Sequence, residues 1–515
     1  GPGAVGPDAT TRPRILALSP AATQEPLPVK QRPVRVRIAP SPTGFMHVGN
    51  ARTAIFNWLF ARRHGGTFVW RVEDTDRARF VPEALDDQRT ALDWLGITPD
   101  EGPFTGGQPG PYLQSERLPR YTAHVDGLLA NGQAYRCFCT PERLDEVRRA
   151  REAARLKGRY DRHCRNLSAA EVDARLADGG RHTVRLKLPL TGSRVLHDVL
   201  RGEIAFDLAE LDDPILRKSD GWPTYHLAVV VDDEAMAITH VLRADEWIPS
   251  APIHLVLYEA FGWEPPVYCH VPLVLSPTGK GKLSKREGGV EVRDYRAAGY
   301  LPEALFNYLA LLGWAYSGDE EIFTPEMAAA RFALADIKVS PAAWNPEKLL
   351  WMNGHYIRAL APDDLATRLV PFFRDAGLDA TLDQVRPLVP LIQERIGTLA
   401  EAVGLVDFFW AAAIDVDPAA LVPAKSDAAT TADQLRRCAA ALADVADWTA
   451  EPLEAALRAL ANGLGVKPGP LFQPVRVAVT GKKVAPPLFD TLALVGRAAV
   501  LERLAAAAAV LERGT

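Results

Sequence analysis

Apolar and charged residues alternate from Val34 to Ala39, the two-residue period of a half-buried strand. Pro40-Ser41-Pro42-Thr43-Gly44 breaks the pattern as a loop. From about His47 to Arg63, Ala51, Ala54, Ile55, Trp58 and Leu59 recur at helical spacing, and His64-Gly65-Gly66 ends the helix. Thr67 to Val72 predicts a second strand. Strand, loop, helix and strand at this spacing form a βαβ unit with a parallel sheet. Helices are expected over 85–98, 115–131 and 250–261. Strands are expected at 182–188, 194–198 and 203–207, then at Leu227–Val231, Ile238–Leu242 and Val271–Leu275. The α/β alternation is thus split by an insertion of about 90 residues. Beyond about residue 300 the pattern is helical, with breaks at 418–427 and 467–474.

Composition narrows the class. The 515 residues carry 59 Lys and Arg against 64 Asp and Glu, a formal charge of −5. This excludes a uniformly basic nucleic-acid coat but leaves room for a local basic stripe. No apolar window is long enough to span a bilayer. The five cysteines are odd in number and sparse, which argues against a disulfide scaffold and for a reducing, cytoplasmic setting. Residues 1–32 are rich in Pro, Ala, Thr and Gly without periodicity and are expected to be a disordered extension.

Three segments carry candidate chemistry. His47-Val48-Gly49-Asn50 opens the first helix, where unpaired N–H groups and the helix dipole suit a phosphate. Gly49 has no side chain to keep a nucleotide from the backbone. Alternatively, His47 and Asn50 merely cap the helix. Lys280 to Arg286 packs four cations into seven residues, a loop suited to a polyphosphate or simply a solvated basic loop. Glu73, in Trp70-Arg71-Val72-Glu73-Asp74-Thr75-Asp76-Arg77, lies at a strand end, where ligands of open α/β sheets bind. It could receive an amino group, or the cluster could cap the next helix.

On these residues the chain resembles the class I aminoacyl-tRNA synthetases. His47 to Asn50 is similar to their HIGH signature and Lys282-Leu283-Ser284-Lys285-Arg286 to their KMSKS signature. Arg37 to Gly44, Glu73 to Asp76, Asp220 to His226, Val231-Asp232-Asp233 and His240 to Glu246 narrow the resemblance to the bacterial glutamyl type. It implies a Rossmann-like catalytic domain interrupted by an α+β insertion and followed by an all-α anticodon-binding region. The expected bounds are 33–132 and 221–275 for the catalytic halves and 133–220 for the acceptor-stem insertion. The KMSKS loop and stem-contact region would span 276–355, and the anticodon-binding domain 356–515.

The implied reaction joins glutamate to tRNA with ATP and Mg²⁺. His47, Gly49, Asn50, Lys282, Ser284 and Lys285 would bind ATP. Of these, His47, Asn50, Lys282 and Lys285 would act on the phosphates. Arg37 and Arg243 are candidates for the carboxylates of glutamate, since an Arg fork matches a carboxylate bidentately. By resemblance Ser41 and Tyr225 line the same pocket and Glu73 takes the ammonium.

Cys137, Cys139 and Cys164 offer three thiols to a structural zinc. Tyr160 or His163 could be the fourth ligand. His163 adjoins Cys164, so joint binding would strain the chain, and some family members carry C-x-C…Y-x-x-x-C. Arg148, Arg149 and Arg155 lie in a basic run, either a solvated helix face or a track for the tRNA acceptor stem. Glu394 to Leu399 resembles the segment that reads the last anticodon base. There Arg395 would favour tRNA for Glu over tRNA for Gln. A monomer is expected.

Overall fold

The computed structural model describes residues 16–17, 32–155, 160–284 and 290–513. Within 1–32, Leu16–Ala17 pairs antiparallel with Ile204 and Ala205, where the sequence predicts disorder; 1–15 and 18–31 lie outside the described residues.

The βαβ unit forms as its pattern predicts. Strand Arg35–Ile38 runs parallel to Thr67–Trp70, with Val36 opposite Phe68 and Ile38 opposite Trp70. Helix Val48–Arg63 joins them, and Ala51, Ala54, Ile55, Trp58 and Leu59 are all buried. Gly66 brings the chain back to the first strand; a Cβ there would lie 2.4 Å from the Val34 carbonyl oxygen, so only glycine fits.

The Thr239 N–H donates to the Arg35 carbonyl, and the Arg35 N–H donates to Thr239 Oγ1 at 2.8 Å. These bonds set strand His240–Ala244 beside the first strand. His240–Ala244 in turn runs parallel to Val267–Val271. The hairpin Ser193–Asp198 and Gly202–Asp207 extends this sheet beyond Val267–Val271. Part of the 133–220 stretch therefore pairs with the same sheet. The rest builds a separate three-stranded antiparallel sheet from Ala134–Cys137, Thr183–Leu186 and Ile215–Arg217.

Leu227–Val231 is not a strand. It lies inside helix Tyr225–Ala235, where Leu227 to Asp233 are all buried. A five-residue apolar run buried on every side carries no period by which helix and strand can be told apart. The last expected strand is split: Val267–Val271 ends at Pro272, and Val274–Leu275 pairs with Ala342–Ala343.

The chain divides into two compact units: residues up to Arg293 with Phe306–Asn345, and Asp294–Leu305 with Pro346–Thr515. Among its described residues the second unit is helical. One core gathers Ile357, Leu365, Leu369, Phe373 and Ile392; another gathers Leu435, Leu442, Leu457, Val475 and Leu504. The expected break at 467–474 is corrected. Lys467 caps helix Pro468–Thr480, which continues through Pro474. Pro468 and Pro470 fall in its first turn, where N–H groups have no helical partner to lose. No helix among the described residues is long and apolar enough to cross a membrane.

Candidate active site

The first helix begins at a side-chain cap. His47 has extended backbone angles, and its Nδ1 accepts the Gly49 N–H at 3.0 Å. A Cβ on residue 49 would come within 3.2 Å of that same Nδ1. The missing side chain at Gly49 therefore serves the seating of the His47 ring. Asn50 is exposed in the first turn.

Behind the helix start lies a buried charge network. Arg37 Nε and Nη2 donate to the two oxygens of Asp233 at 3.1 and 3.4 Å. Arg71, with no exposed surface, donates to Asp233 at 2.7 Å and to Glu73 at 3.0 Å. Burial pushes the Asp233 carboxyl up, but Arg37 and Arg71 outweigh it and hold the group below its ordinary range. At Glu73 burial outweighs Arg71 and Arg37, and the carboxyl is raised.

Arg243 projects from strand His240–Ala244. Its Nε donates to His270 Nε2 at 2.9 Å, and its Nη1 to Tyr225 Oη at 3.1 Å and His254 Nδ1 at 3.4 Å. His270 Nδ1 lies 2.7 Å from Asp198 Oδ2. Burial pushes the pKa of His270 and of His226 down to about 4.

The basic loop contributes Lys282, whose Nζ pairs with both oxygens of Glu246 at 2.9 and 3.1 Å. Leu283 anchors this stretch: it is buried and its N–H donates to the Val274 carbonyl. Arg37, Ser41, His47, Gly49, Asn50, Glu73, Tyr225, Arg243 and Lys282 all line one cavity of about 850 Å³. Ser284 is exposed and not among its lining residues; Lys285 lies outside the described residues.

A second cluster stands on the three-stranded sheet. The ligand atoms of Cys137, Cys139 and Cys164 lie within 4.8 Å of one another. Cys139 Sγ is 3.6 Å from Cys164 Sγ, and Tyr160 Oη is 3.2 Å from Cys137 Sγ and 3.6 Å from Cys139 Sγ. A tetrahedral zinc with bonds of about 2.3 Å to sulfur would set its thiolates about 3.8 Å apart, so three sulfurs and a phenol oxygen fit. The Phe138 N–H also points at Cys164 Sγ, at 3.4 Å.

Comparison with known proteins decides the family. Residues 33–351 match the model for class I tRNA synthetases (E and Q), catalytic domain, and residues 364–508 match the model for an anticodon binding domain. The chain belongs to the class I tRNA synthetases of the Glu and Gln type. It is 50% identical to the glutamate–tRNA ligase of Chloroflexus aurantiacus over 494 residues, covering 93% of this chain and 98% of that one. The ligase of Roseiflexus castenholzii is 49% identical, over 94% of this chain and 97% of that one. A glutamate tRNA ligase from Elizabethkingia meningosepticum, crystallised in complex with its amino acid, matches with a TM-score of 0.83 at 33% identity. That match covers 93% of this chain and 100% of that one.

In this synthetase the basic run of the insertion divides. Arg162 and Arg165 turn inward to the buried Asp213, at 3.4 and 2.6 Å. Arg143 pairs with Asp161. Arg148, Arg149 and Arg155 are exposed, on helix Pro141–Ala153 and just beyond its end. Arg395 is exposed in a turn of the second unit.

Sequence reasoning missed Asp198, His254 and His270, and quoted Arg71 and Asp233 without a role. One signal was present: Arg71 stands two residues before Glu73 on an extended segment, so both side chains share a face.

Proposed function

We propose that this chain is a glutamate–tRNA ligase that activates L-glutamate with ATP and transfers it to the 3′ end of tRNA for Glu. The observation that carries this is a single cavity. It holds a capped helix N-terminus, the loop lysine Lys282, arginines that include Arg37 and Arg243, and the buried Glu73.

In the first step a carboxylate oxygen of glutamate attacks the α-phosphorus of ATP. The bond to the β-phosphate breaks and pyrophosphate leaves. Such a transfer asks for positioning and charge neutralisation rather than a covalent nucleophile. His47, Gly49 and Asn50 bring the phosphates to the positive end of the helix. Lys282, with Ser284 and Lys285 of the same loop, meets the charge that develops on pyrophosphate. Arg37 and Arg243 hold the carboxylates of glutamate, Ser41 and Tyr225 line its pocket, and Glu73 takes its ammonium. In the second step a terminal ribose hydroxyl of tRNA attacks the glutamyl carbonyl and AMP leaves.

Mg²⁺ bound with ATP supplies charge neutralisation; the phosphate oxygens are its natural ligands. Cys137, Cys139, Cys164 and Tyr160 would hold a structural zinc that ties the end of strand Ala134–Cys137 to the segment that follows helix Pro141–Ala153. Arg148, Arg149 and Arg155 would follow acceptor-stem phosphates. Arg395 would read the last anticodon base and favour tRNA for Glu over tRNA for Gln. None of the five cysteines is paired, which fits a reducing cytoplasm; the chain would work there as a monomer.

The test is to charge purified tRNA for Glu and tRNA for Gln with labelled glutamate and ATP. Label on the Glu tRNA alone is expected. Label on both would overturn the role of Arg395, and label on neither, with folded protein, would overturn the ligase reading.

A further inference from the structure

Two of the arginines that line the cavity, Arg37 and Arg243, are held in opposite ways. Arg37 is paired with a carboxylate, Asp233, through two hydrogen bonds. Arg243 is held by uncharged acceptors: His270, His254, Tyr225 and the Trp247 carbonyl. Among the described residues no carboxylate lies within ion-pair distance of Arg243.

Hydrogen-bond chemistry fixes the proton on His270. A guanidinium has five N–H donors and no acceptor. The His270 Nε2 facing Arg243 Nε at 2.9 Å must therefore offer a lone pair. A neutral His270 then carries its proton on Nδ1, where Asp198 Oδ2 accepts it at 2.7 Å. Asp198 is itself locked. The same oxygen accepts the His270 N–H at 2.9 Å, and the other accepts the N–H groups of Leu200 and Arg201 at 3.0 Å each. His270 and Asp198 are both buried, so water does not compete for these bonds.

The physical consequence concerns charge. A carboxylate against Arg243 would offset part of the field that the guanidinium presents to the cavity. An imidazole fixes the guanidinium plane equally well and leaves its charge in place, with Asp198 set one ring further back. We propose that His270, oriented by Asp198, is a positioning residue that holds Arg243 through a neutral acceptor and so keeps its full positive charge for a substrate carboxylate. This rests on the reading of the cavity as the glutamate pocket. The sequence gives no hint of the pair, since Asp198 and His270 are 72 residues apart and meet only because their two strands are neighbours.

The experiment is a glutamate titration of tRNA charging with three chains: the natural one, His270→Leu and His270→Gln. Leucine removes the acceptor; glutamine offers an amide oxygen near the place of Nε2. We expect His270→Leu to raise KM for glutamate about tenfold or more, the loss of one hydrogen bond to a charged group, with KM for ATP changed less than about twofold. His270→Gln is expected to recover most of the loss. A folded His270→Leu chain with unchanged KM for glutamate would overturn the proposal, as would a glutamine variant no better than leucine.

A second measurement does not depend on the leucine variant folding. Nitrogen-15 NMR of the natural chain, with His270 assigned by its absence from His270→Gln, is expected to find the ring proton on Nδ1 at neutral pH. A proton on Nε2 would overturn the proposal. The ligase reading fails separately, if the natural chain charges no tRNA with glutamate.

Discussion

Arg37 donates to both oxygens of Asp233, from Nε at 3.1 Å and Nη2 at 3.4 Å, with both side chains almost wholly buried. Asp233 thereby fixes the plane of the guanidinium at the cavity wall, while also taking Arg71 at 2.7 Å. One carboxylate serves two buried cations, and removing its charge exposes both.

Asp233→Asn is therefore expected to destabilise the fold by about 3–5 kcal/mol, since it breaks a buried pair and leaves Arg71 underpaired. Denaturant unfolding measures this. Stability within about 0.5 kcal/mol of the natural chain, the range of an ordinary surface change, would contradict the account.

Gly49→Ala separates stability from activity. Alanine favours a helix by up to about 1 kcal/mol over glycine, so unfolding should not become easier. Yet its Cβ would press on His47 Nδ1 from 3.2 Å and displace the ring. We expect kcat to fall about tenfold through misplacement of the phosphate-binding group. An undiminished kcat would show that the His47 cap can yield without cost.

Much of this architecture is legible along the chain. The first βαβ unit reads from its sequence periods: Val36 and Ile38 alternate with Arg35 and Arg37, and Ala51, Ala54, Ile55, Trp58 and Leu59 recur at helical spacing between Arg52, Thr53 and Asn57, although every residue from Ala51 to Ala61 is buried. The helix at Tyr225–Ala235 does not, because Leu227 to Val231 is an unbroken apolar run with no polar residue to mark a period. At the site, His47, Lys282 and Arg243 are visible within contiguous motifs. Asp198 and His270 are not, because their meaning comes from sheet neighbours, and Arg71, beside Glu73 in the sequence, takes its role from Asp233 on helix Tyr225–Ala235. Asp198 reaches His270 only through the pairing of Ser193–Asp198 with Val267–Val271. The basic run of the insertion shows the same limit: composition cannot tell the inward Arg162 and Arg165 from the exposed Arg148 and Arg149.

Stability should depend on pH through the buried histidines. Burial pushes His226, His240 and His270 from an ordinary 6.5 down to about 4. Between these values the unfolded chain binds more protons than the folded one, so stability rises with pH across that window. It is complete above about pH 6.5 and lost progressively as pH falls toward 4. Urea unfolding at pH 7 and pH 5 checks this, with the lower midpoint expected at pH 5. Equal midpoints would contradict it.

Metal analysis of the purified chain is expected to find about one zinc per molecule, matching a single four-ligand site. Cys139→Ser should lose the metal and raise KM for tRNA while leaving KM for glutamate in place. A metal-free natural chain, indifferent to this substitution, would remove zinc from the account.

The claim at the centre is that Arg37 and Arg243, both buried, make the cavity a reader of a dicarboxylate. The direct measurement compares glutamate with glutamine as substrate for charging tRNA for Glu, as the ratio of kcat/KM. The side-chain amide would leave an arginine facing an uncharged group. A preference for glutamate of about 10³ or more is predicted, because a site built for a buried polar partner rejects an analogue that lacks it. Use of glutamine within about tenfold of glutamate, the range that mere size discrimination reaches, would contradict the account.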